Sequence, residues 1–121
     1  MGVWVTVRGW LECDRVQLDA IARRVAGGPP PAYSGGWTFP ARQSAWSCAA
    51  YFGADLRAQC VGELLAEVRA LARTPASDAD GDLVRGLFTA VHETDGVQEW
   101  RVRDGGVEVH DATDRYGYLN A

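Results

Sequence analysis

The start of the chain alternates apolar side chains with larger or polar ones. In residues 3–11 (VWVTVRGWL) valine recurs at every second position, which predicts a strand with one buried face. Residues 45–52 (AWSCAAYF) repeat the pattern, and one face of that strand would carry Trp46, Cys48, Ala50 and Phe52. A short strand is also predicted at residues 37–39, just before Pro40.

Two segments have the period of an α-helix instead. Asp14 can cap the first helix, and Gln17 stands where a capping box requires it. The apolar stripe of this helix is Leu18, Ile21, Ala22 and Val25, and Gly27-Gly28 predicts its end. A second helix is predicted over residues 56–73 with Asp55 as its cap. Its apolar stripe is Val61, Leu64, Leu65, Val68, Leu71 and Ala72.

The last third of the chain predicts three strands, over residues 83–92, 98–103 and 107–110. Asp95-Gly96 and Asp104-Gly105 lie between them, and both pairs are typical of hairpin turns. These segments predict an antiparallel meander. The tail after Asp111 contains Tyr116, Tyr118 and Leu119, and we expect it to dock on the body of the protein.

The element order is therefore β-α-β-β-α-β-β-β. Its first six elements match the split β-α-β pattern of ferredoxin-like folds. We predict an α+β fold with a ferredoxin-like split β-α-β core, whose antiparallel sheet carries two helices on one face and a C-terminal β-meander extension. The length of 121 residues and the ordinary globular composition predict a single domain over residues 1–121.

Composition also bears on the compartment. The sequence has neither a secretory signal nor an apolar run approaching the ~20 residues that span a bilayer, so we expect a cytoplasmic protein without membrane contact. Cys13, Cys48 and Cys60 are odd in number, widely spaced and free of any CxxC pair. They indicate small buried side chains rather than a disulfide framework or a zinc site.

The net charge of −4 is unevenly distributed. Residues 1–77 hold eight arginines and six acidic residues, whereas residues 78–121 hold four arginines and ten acidic residues. The acidic C-terminal part argues against nucleic-acid binding there and suits a basic partner protein. A solvated acidic face is the alternative explanation.

Residues 78–82 (DADGD) begin like a calcium loop, with Asp78, Asp80 and Asp82 at alternate positions. The sixth and twelfth positions should be Gly and Glu but are Leu83 and Thr89, so the pattern favours a polar loop or an acidic partner-binding loop. No nucleotide-binding motif occurs, and we expect no metal and no cofactor.

No catalytic motif is present either. His92 and His110 are the two histidines, and both are expected at strand ends as structural residues. Cys48, His92 and Asp95 could be assembled into a nucleophilic triad on paper, but no spacing requires it. The sequence therefore favours a protein that is not an enzyme.

Five tryptophans and four tyrosines exceed what a small core must bury, so some are expected at the surface, where Tyr33 and Trp37 are the first candidates for a binding site. The alternative is that these side chains fold back over the sheet. Residues 33–40 (YSGGWTFP) and 86–105 (GLFTAVHETDGVQEWRVRDG) are similar to segments of small bacterial immunity-type or uncharacterised proteins. That resemblance implies a binding module and not a catalyst.

The function expected first is that of an immunity protein, which neutralises a basic toxin domain through an acidic surface. Tyr33 or Trp37 would anchor the partner. The acidic contacts would be Asp78, Asp80, Asp82, Glu93 and Asp95. Two alternatives remain open: a small-molecule-binding protein or enzyme of ferredoxin-like fold, and a structural or phage-related assembly protein that pairs through a sheet edge.

Overall fold

A computed structural model of the chain describes residues 3–28, 34–44 and 47–120. It contains six strands: β1 (Trp4–Cys13), β2 (Ser34–Thr38), β3 (Cys48–Arg57), β4 (Arg85–His92), β5 (Gly96–Arg103) and β6 (Gly106–Asp111). The α-helices are α1 (Arg15–Gly27), α2 (Val61–Ala72) and α3 (Thr113–Tyr116), and the 3₁₀ turns are Ala58–Cys60 and Gly117–Asn120. No helix within the described ranges has the length and apolar character needed to cross a membrane.

The strands form one sheet in the order β2-β3-β1-β4-β5-β6, and every neighbouring pair is antiparallel. The predicted α+β class is confirmed, and so is the antiparallel meander of β4, β5 and β6. The six-strand order does not confirm the ferredoxin-like description, because β5 and β6 continue the sheet beyond β4.

The core lies between one face of this sheet and the helices α1 and α2. Strand β1 buries Val5, Val7 and Leu11 completely, as its alternation predicts. The helices contribute Leu18, Ile21, Leu64, Val68, Leu71 and Ala72, all from the predicted stripes. Burial of each Val, Leu or Ile side chain among these stabilises the fold by roughly 2 kcal/mol.

The helix boundary predicted at Asp55 is wrong. Strand β3 continues to Arg57, and α2 begins at Val61 after a 3₁₀ turn. The cause lies in the tertiary pairing, because Asp55 is the partner of Thr6 in β1 and its Oδ1 accepts the Thr6 hydroxyl at 2.6 Å. Leu56 is fully buried, so the period-two pattern extends through residues that look like a helix start in the sequence.

Both turns of the meander follow their sequence signals. Asp104 and Gly105 have φ angles of 54° and 77°, which is the left-handed pair that a type I′ hairpin turn requires. Gly96, with φ 86°, closes the hairpin between β4 and β5. The capping box at α1 is also confirmed, since Asp14 Oδ1 accepts the Gln17 backbone N–H at 2.8 Å and Gln17 Oε1 accepts the Asp14 N–H at 3.0 Å.

Candidate functional site

The second face of the sheet points away from α1 and α2, and we call it the open face. Alternation along β1 places on it Trp4, Thr6, Arg8, Trp10 and Glu12. Part of the open face over β4 and β5 is covered by the C-terminal segment, residues 112–120. This segment is fixed by hydrogen bonds from the Ala112 N–H to the Val97 carbonyl (2.8 Å) and from Asn120 Nδ2 to the His92 carbonyl (2.8 Å). The expected docking of the tail is thereby confirmed.

The β5–β6 half of the open face is a network of ion pairs. Glu99 is only 4 % exposed and accepts from Arg101 Nε at 2.5 Å and from Arg115 of α3 at 3.4 Å. Glu108 accepts from Arg103 Nε at 2.8 Å and lies 3.1 Å from His110 Nε2. The opposite charges neutralise one another, and the Glu99–Arg115 pair attaches α3 to the sheet. The charged side chains of this half are therefore engaged in contacts within the chain.

The ion pairs predict that acid destabilises the fold. The Arg101 hydrogen bond lowers the pKa of Glu99, and the Arg103 hydrogen bond lowers the pKa of Glu108 from 4.5 to about 2. A lowered folded-state pKa stabilises the protein above the unfolded value, and this stability is lost as the pH falls through the folded value. We expect the free energy of unfolding, measured in urea, to fall between pH 4.5 and about 2.

The variant Glu99→Gln should reduce this pH dependence, because one of the two carboxylates of the ion-pair network is gone. Glu63→Gln is the control, since Glu63 is exposed on α2 and forms no ion pair with any described residue. An unchanged pH dependence in Glu99→Gln would contradict the role assigned to the network.

The half of the open face over β3, β1 and β4 carries exposed aromatic side chains. Trp4 is 45 % exposed and Tyr51 is 49 % exposed, and Trp10 lies directly opposite Tyr51 in the β1–β3 pair. The Arg57 guanidinium lies 4.7 Å from the centre of the Trp4 ring, and Trp10 Nε1 donates to Glu12 at 3.0 Å. We call this region the aromatic half.

Three adjoining depressions lie on the surface of the aromatic half. The first has a volume of about 530 Å³ and lies between Trp4, Arg8 and Leu119. The second, of about 380 Å³, shares Arg8 with the first and extends to Trp10 and Tyr51. The third, of about 470 Å³, shares Trp10 and Tyr51 with the second. Together they form a continuous uneven surface on which a partner could bind.

The structure does not bring the predicted acidic residues into one patch. Asp78, Asp80 and Asp82 lie in the loop before β4, whereas Glu93 and Asp95 lie in the turn after it. The eight residues of β4 span roughly 25 Å, so the two groups occupy opposite ends of the sheet. Residues 78–82 do border a depression of about 490 Å³ together with Glu12, Asp14 and Asp104.

Of the two predicted aromatic anchors, Tyr33 lies outside the described residues. Trp37 is half-buried on the helix-facing side of β2, where its ring packs edge-on against Phe52 at 5.1 Å and Phe88 at 6.0 Å. Trp37 Nε1 donates to Glu67 of α2 at 2.7 Å. Trp37 therefore contributes to the core contact between β2 and α2.

The residues of the nucleophilic triad are far apart. Cys48 is the strand partner of Cys13 at one end of β1, and His92 is the strand partner of Val5 near the other end. The two positions are eight residues, or roughly 26 Å, apart along β1. Nε2 of His92 is buried without a hydrogen-bond partner among the described residues. Within the same part of the chain, no cluster of three His, Cys, Asp or Glu side chains could hold a metal ion.

The three cysteines are free and buried, as expected. Burial first, and then the neighbouring Cys48 and Asp14, raise the pKa of Cys13 from 9.0 to about 12, so the thiolate fraction at pH 8 falls roughly a thousandfold from that of a thiol with a pKa of 9.0. We expect iodoacetamide to label Cys13 far more slowly in the native protein than in urea, as measured by mass spectrometry. Equal rates in both states would contradict a closed core at this site.

No family model matches the chain, and no curated protein and no solved structure is similar to it. The site is therefore defined by its own residues. Trp4, Arg8 and Tyr51 were not among the site residues predicted from the sequence, although the alternation in β1 and β3 placed them opposite the buried side chains. What the alternation lacked was the information that α1 and α2 both pack on the opposite face.

Proposed function

We propose that the chain is a protein-binding module and that the aromatic half of the open face is its contact surface. The observation that carries the proposal is the exposure of Trp4 (45 %) and Tyr51 (49 %) on a sheet face that α1 and α2 leave uncovered. Exposed aromatic side chains near the centre of a surface are typical of binding hot spots. The charged side chains of the β5–β6 half already form ion pairs with one another, which leaves the aromatic half for a partner.

In its most concrete form the module is an immunity protein that neutralises a toxin domain. The acidic side chains then form a rim around the aromatic centre: Glu93 borders the first depression, Glu12 borders the third, and the loop of residues 78–82 lies beyond Glu12. An apolar centre with a polar rim is the usual anatomy of a protein interface. An acidic rim suits a toxin domain with a basic surface.

We expect the gene of this protein to lie beside a large open reading frame that ends in a small basic domain, and the experiment pairs the protein with that domain. We expect co-expression to relieve the growth arrest that this domain causes, and calorimetry to show a stoichiometric complex. Trp4→Ala and Tyr51→Ala should each weaken the complex roughly tenfold. Val16→Ala is the control, because Val16 is 64 % exposed on α1, away from the open face.

The proposal fails if the two proteins form no complex, or if both aromatic variants bind as tightly as Val16→Ala. The rim is tested separately by the association rate, which should fall as NaCl is raised from about 0.05 M to about 0.5 M because salt screens exposed charges. A rate independent of salt would remove the acidic rim from the mechanism and leave the aromatic contact in place.

We also infer that β2, β3, β1 and β4 form a ferredoxin-like split β-α-β core to which β5 and β6 were added. Three features support this inference: α1 connects β1 with β2, α2 connects β3 with β4, and neighbouring strands are antiparallel throughout. The aromatic half then belongs mainly to the core, whereas the ion-pair network belongs to the added strands.

A further inference from the structure

One row of residues across the open face forms a groove. Gly36 in β2 is the partner of Gly53 in β3, Gly53 is the partner of Arg8, and Arg8 is the partner of Thr89 in β4. A Cβ atom added at Gly36 or Gly53 would meet nothing within 4 Å, so the absent side chains leave open space above the backbone. The groove therefore has a floor of bare backbone at one end and Arg8 at its centre.

The residues two positions away along β1 and β3, which lie on the same face, form the two walls. On one side stand Tyr51 and Trp10, which are cross-strand partners, and on the other stand Asp55 and Thr6, which are joined by a hydrogen bond of 2.6 Å. We call this feature the Arg8 groove. Glycine in a strand often marks a place where another backbone approaches closely.

Arg8 differs from the other arginines of the sheet in having no partner among the described residues. It is exposed and makes no hydrogen bond or ion pair with any residue that the structure describes. The other four are engaged: Arg57 with Trp4, Arg85 with Glu12, Arg101 with Glu99 and Arg103 with Glu108. Two carboxylates of the described residues border the first depression beside Arg8: that of Glu93, and that of Asp55, which accepts from Thr6.

We propose that the Arg8 groove receives an extended segment of the protein partner and that Arg8 pairs with an aspartate or glutamate side chain of this segment. The proposal rests on the proposed function and names the partner group that the groove recognises. A guanidinium matches a carboxylate with two parallel N–H···O bonds, and the aromatic wall of Trp10 and Tyr51 limits the access of water to them.

The surrounding charge selects a protein carboxylate over a nucleic acid. Glu12, Glu93 and the loop of residues 78–82 border the depressions on both sides of the groove. They would repel a chain of phosphates, which carries a charge on every nucleotide. They do not repel a single carboxylate that is set within a basic partner surface.

The experiment uses NMR of the ¹⁵N-labelled full chain, titrated with two blocked peptides, KGEGK and KGQGK, and with an oligothymidylate of about eight nucleotides. We expect saturable shifts of the backbone signals of Gly53, Arg8 and Thr89 with KGEGK. KGQGK and the oligothymidylate should leave them unchanged. Arg8→Gln should weaken KGEGK binding at least about tenfold, and Arg8→Lys less, because lysine keeps the charge but loses the bidentate geometry.

Arg23→Gln is the matched control, since Arg23 is exposed on α1 and has no partner among the described residues. Equal shifts with KGEGK and KGQGK, or tighter binding of the oligothymidylate, would overturn the proposal. It would also fall if Arg8→Gln left the affinity for the toxin domain unchanged while Trp4→Ala lowered it. That last result would leave the proposed function standing, which keeps the two failures apart.

Discussion

Replacing Gly9 by alanine is expected to lower the free energy of unfolding by about 3 kcal/mol, the upper part of the range for overpacked cores. Gly9 lies in β1 on the face that packs against the helices. A Cβ atom there would lie 2.6 Å from Cγ of Phe88 and still closer to the carbonyl oxygen of Leu87. Neither neighbour can retreat, because one is sheet backbone and the other is a fully buried ring.

The reason for this crowding is a row of large rings across the sheet. Trp37, Phe52, Phe88 and Trp100 occupy successive strands at one register, and Gly9 is the position in β1 that falls between the two phenylalanines. Phe88 and Trp100 have ring centres 6.1 Å apart. A small residue in β1 is what allows four large aromatic side chains to share one layer of the core.

The matched control is Gly53→Ala in the adjacent strand, where an added Cβ meets nothing within 4 Å. Alanine is preferred over glycine within a strand by roughly 0.5–1 kcal/mol, so this variant should be as stable as the wild type or slightly more stable. Urea denaturation of both variants makes the comparison. Equal losses at Gly9 and Gly53 would mean that backbone freedom, and not crowding, explains the glycine.

Gln17→Leu is expected to cost about 2–3 kcal/mol although leucine has a similar size, because buried polar groups would lose their partners. Gln17 is 2 % exposed. Its Nε2 donates to the Asp82 carbonyl at 2.9 Å and to the Pro75 carbonyl at 3.3 Å, and its Oε1 accepts from Asp14. This one side chain joins the start of α1 to the acidic loop.

Two further variants test the explanation in the same denaturation assay. Gln17→Glu should destabilise at least as strongly as Gln17→Leu, because a carboxylate would face the two carbonyl oxygens that Nε2 now satisfies. Gln59→Leu should change stability by no more than about 0.5 kcal/mol, since Gln59 is exposed in the 3₁₀ turn after β3. If Gln17→Leu lowered the free energy of unfolding no more than Gln59→Leu, water would have to replace the lost hydrogen bonds.

Local sequence patterns predicted the structure correctly where a feature depends only on a few neighbouring residues. The capping box of Asp14 and Gln17, and the Asp104-Gly105 turn, follow from hydrogen bonds and φ angles within four residues. The apolar stripe of α2 follows from its period. Local patterns failed at Asp55, whose role as a strand residue depends on Thr6, forty-nine positions away in the sequence.

The candidate site was harder to predict for the same reason. Composition identified an acidic C-terminal part, but β4 carries its two acidic groups to opposite ends of the sheet. The aromatic half is formed by residues of β1 and β3, which the sequence separates by some forty positions and the β1–β3 pairing joins. Arg8 could be identified as unpaired only after the partners of the other strand arginines were known.

The sequence by itself determined the α+β class, the helical stripes, the alternating strands and the hairpin turns, because each depends on spacing along the chain. Only the tertiary structure decided which face of the sheet α1 and α2 leave uncovered, and that Gly36, Gly53 and Arg8 fall in one row across it. Strand order and register are set by the packing of distant segments against one another. A surface built across strands is therefore not encoded in any single stretch of the sequence.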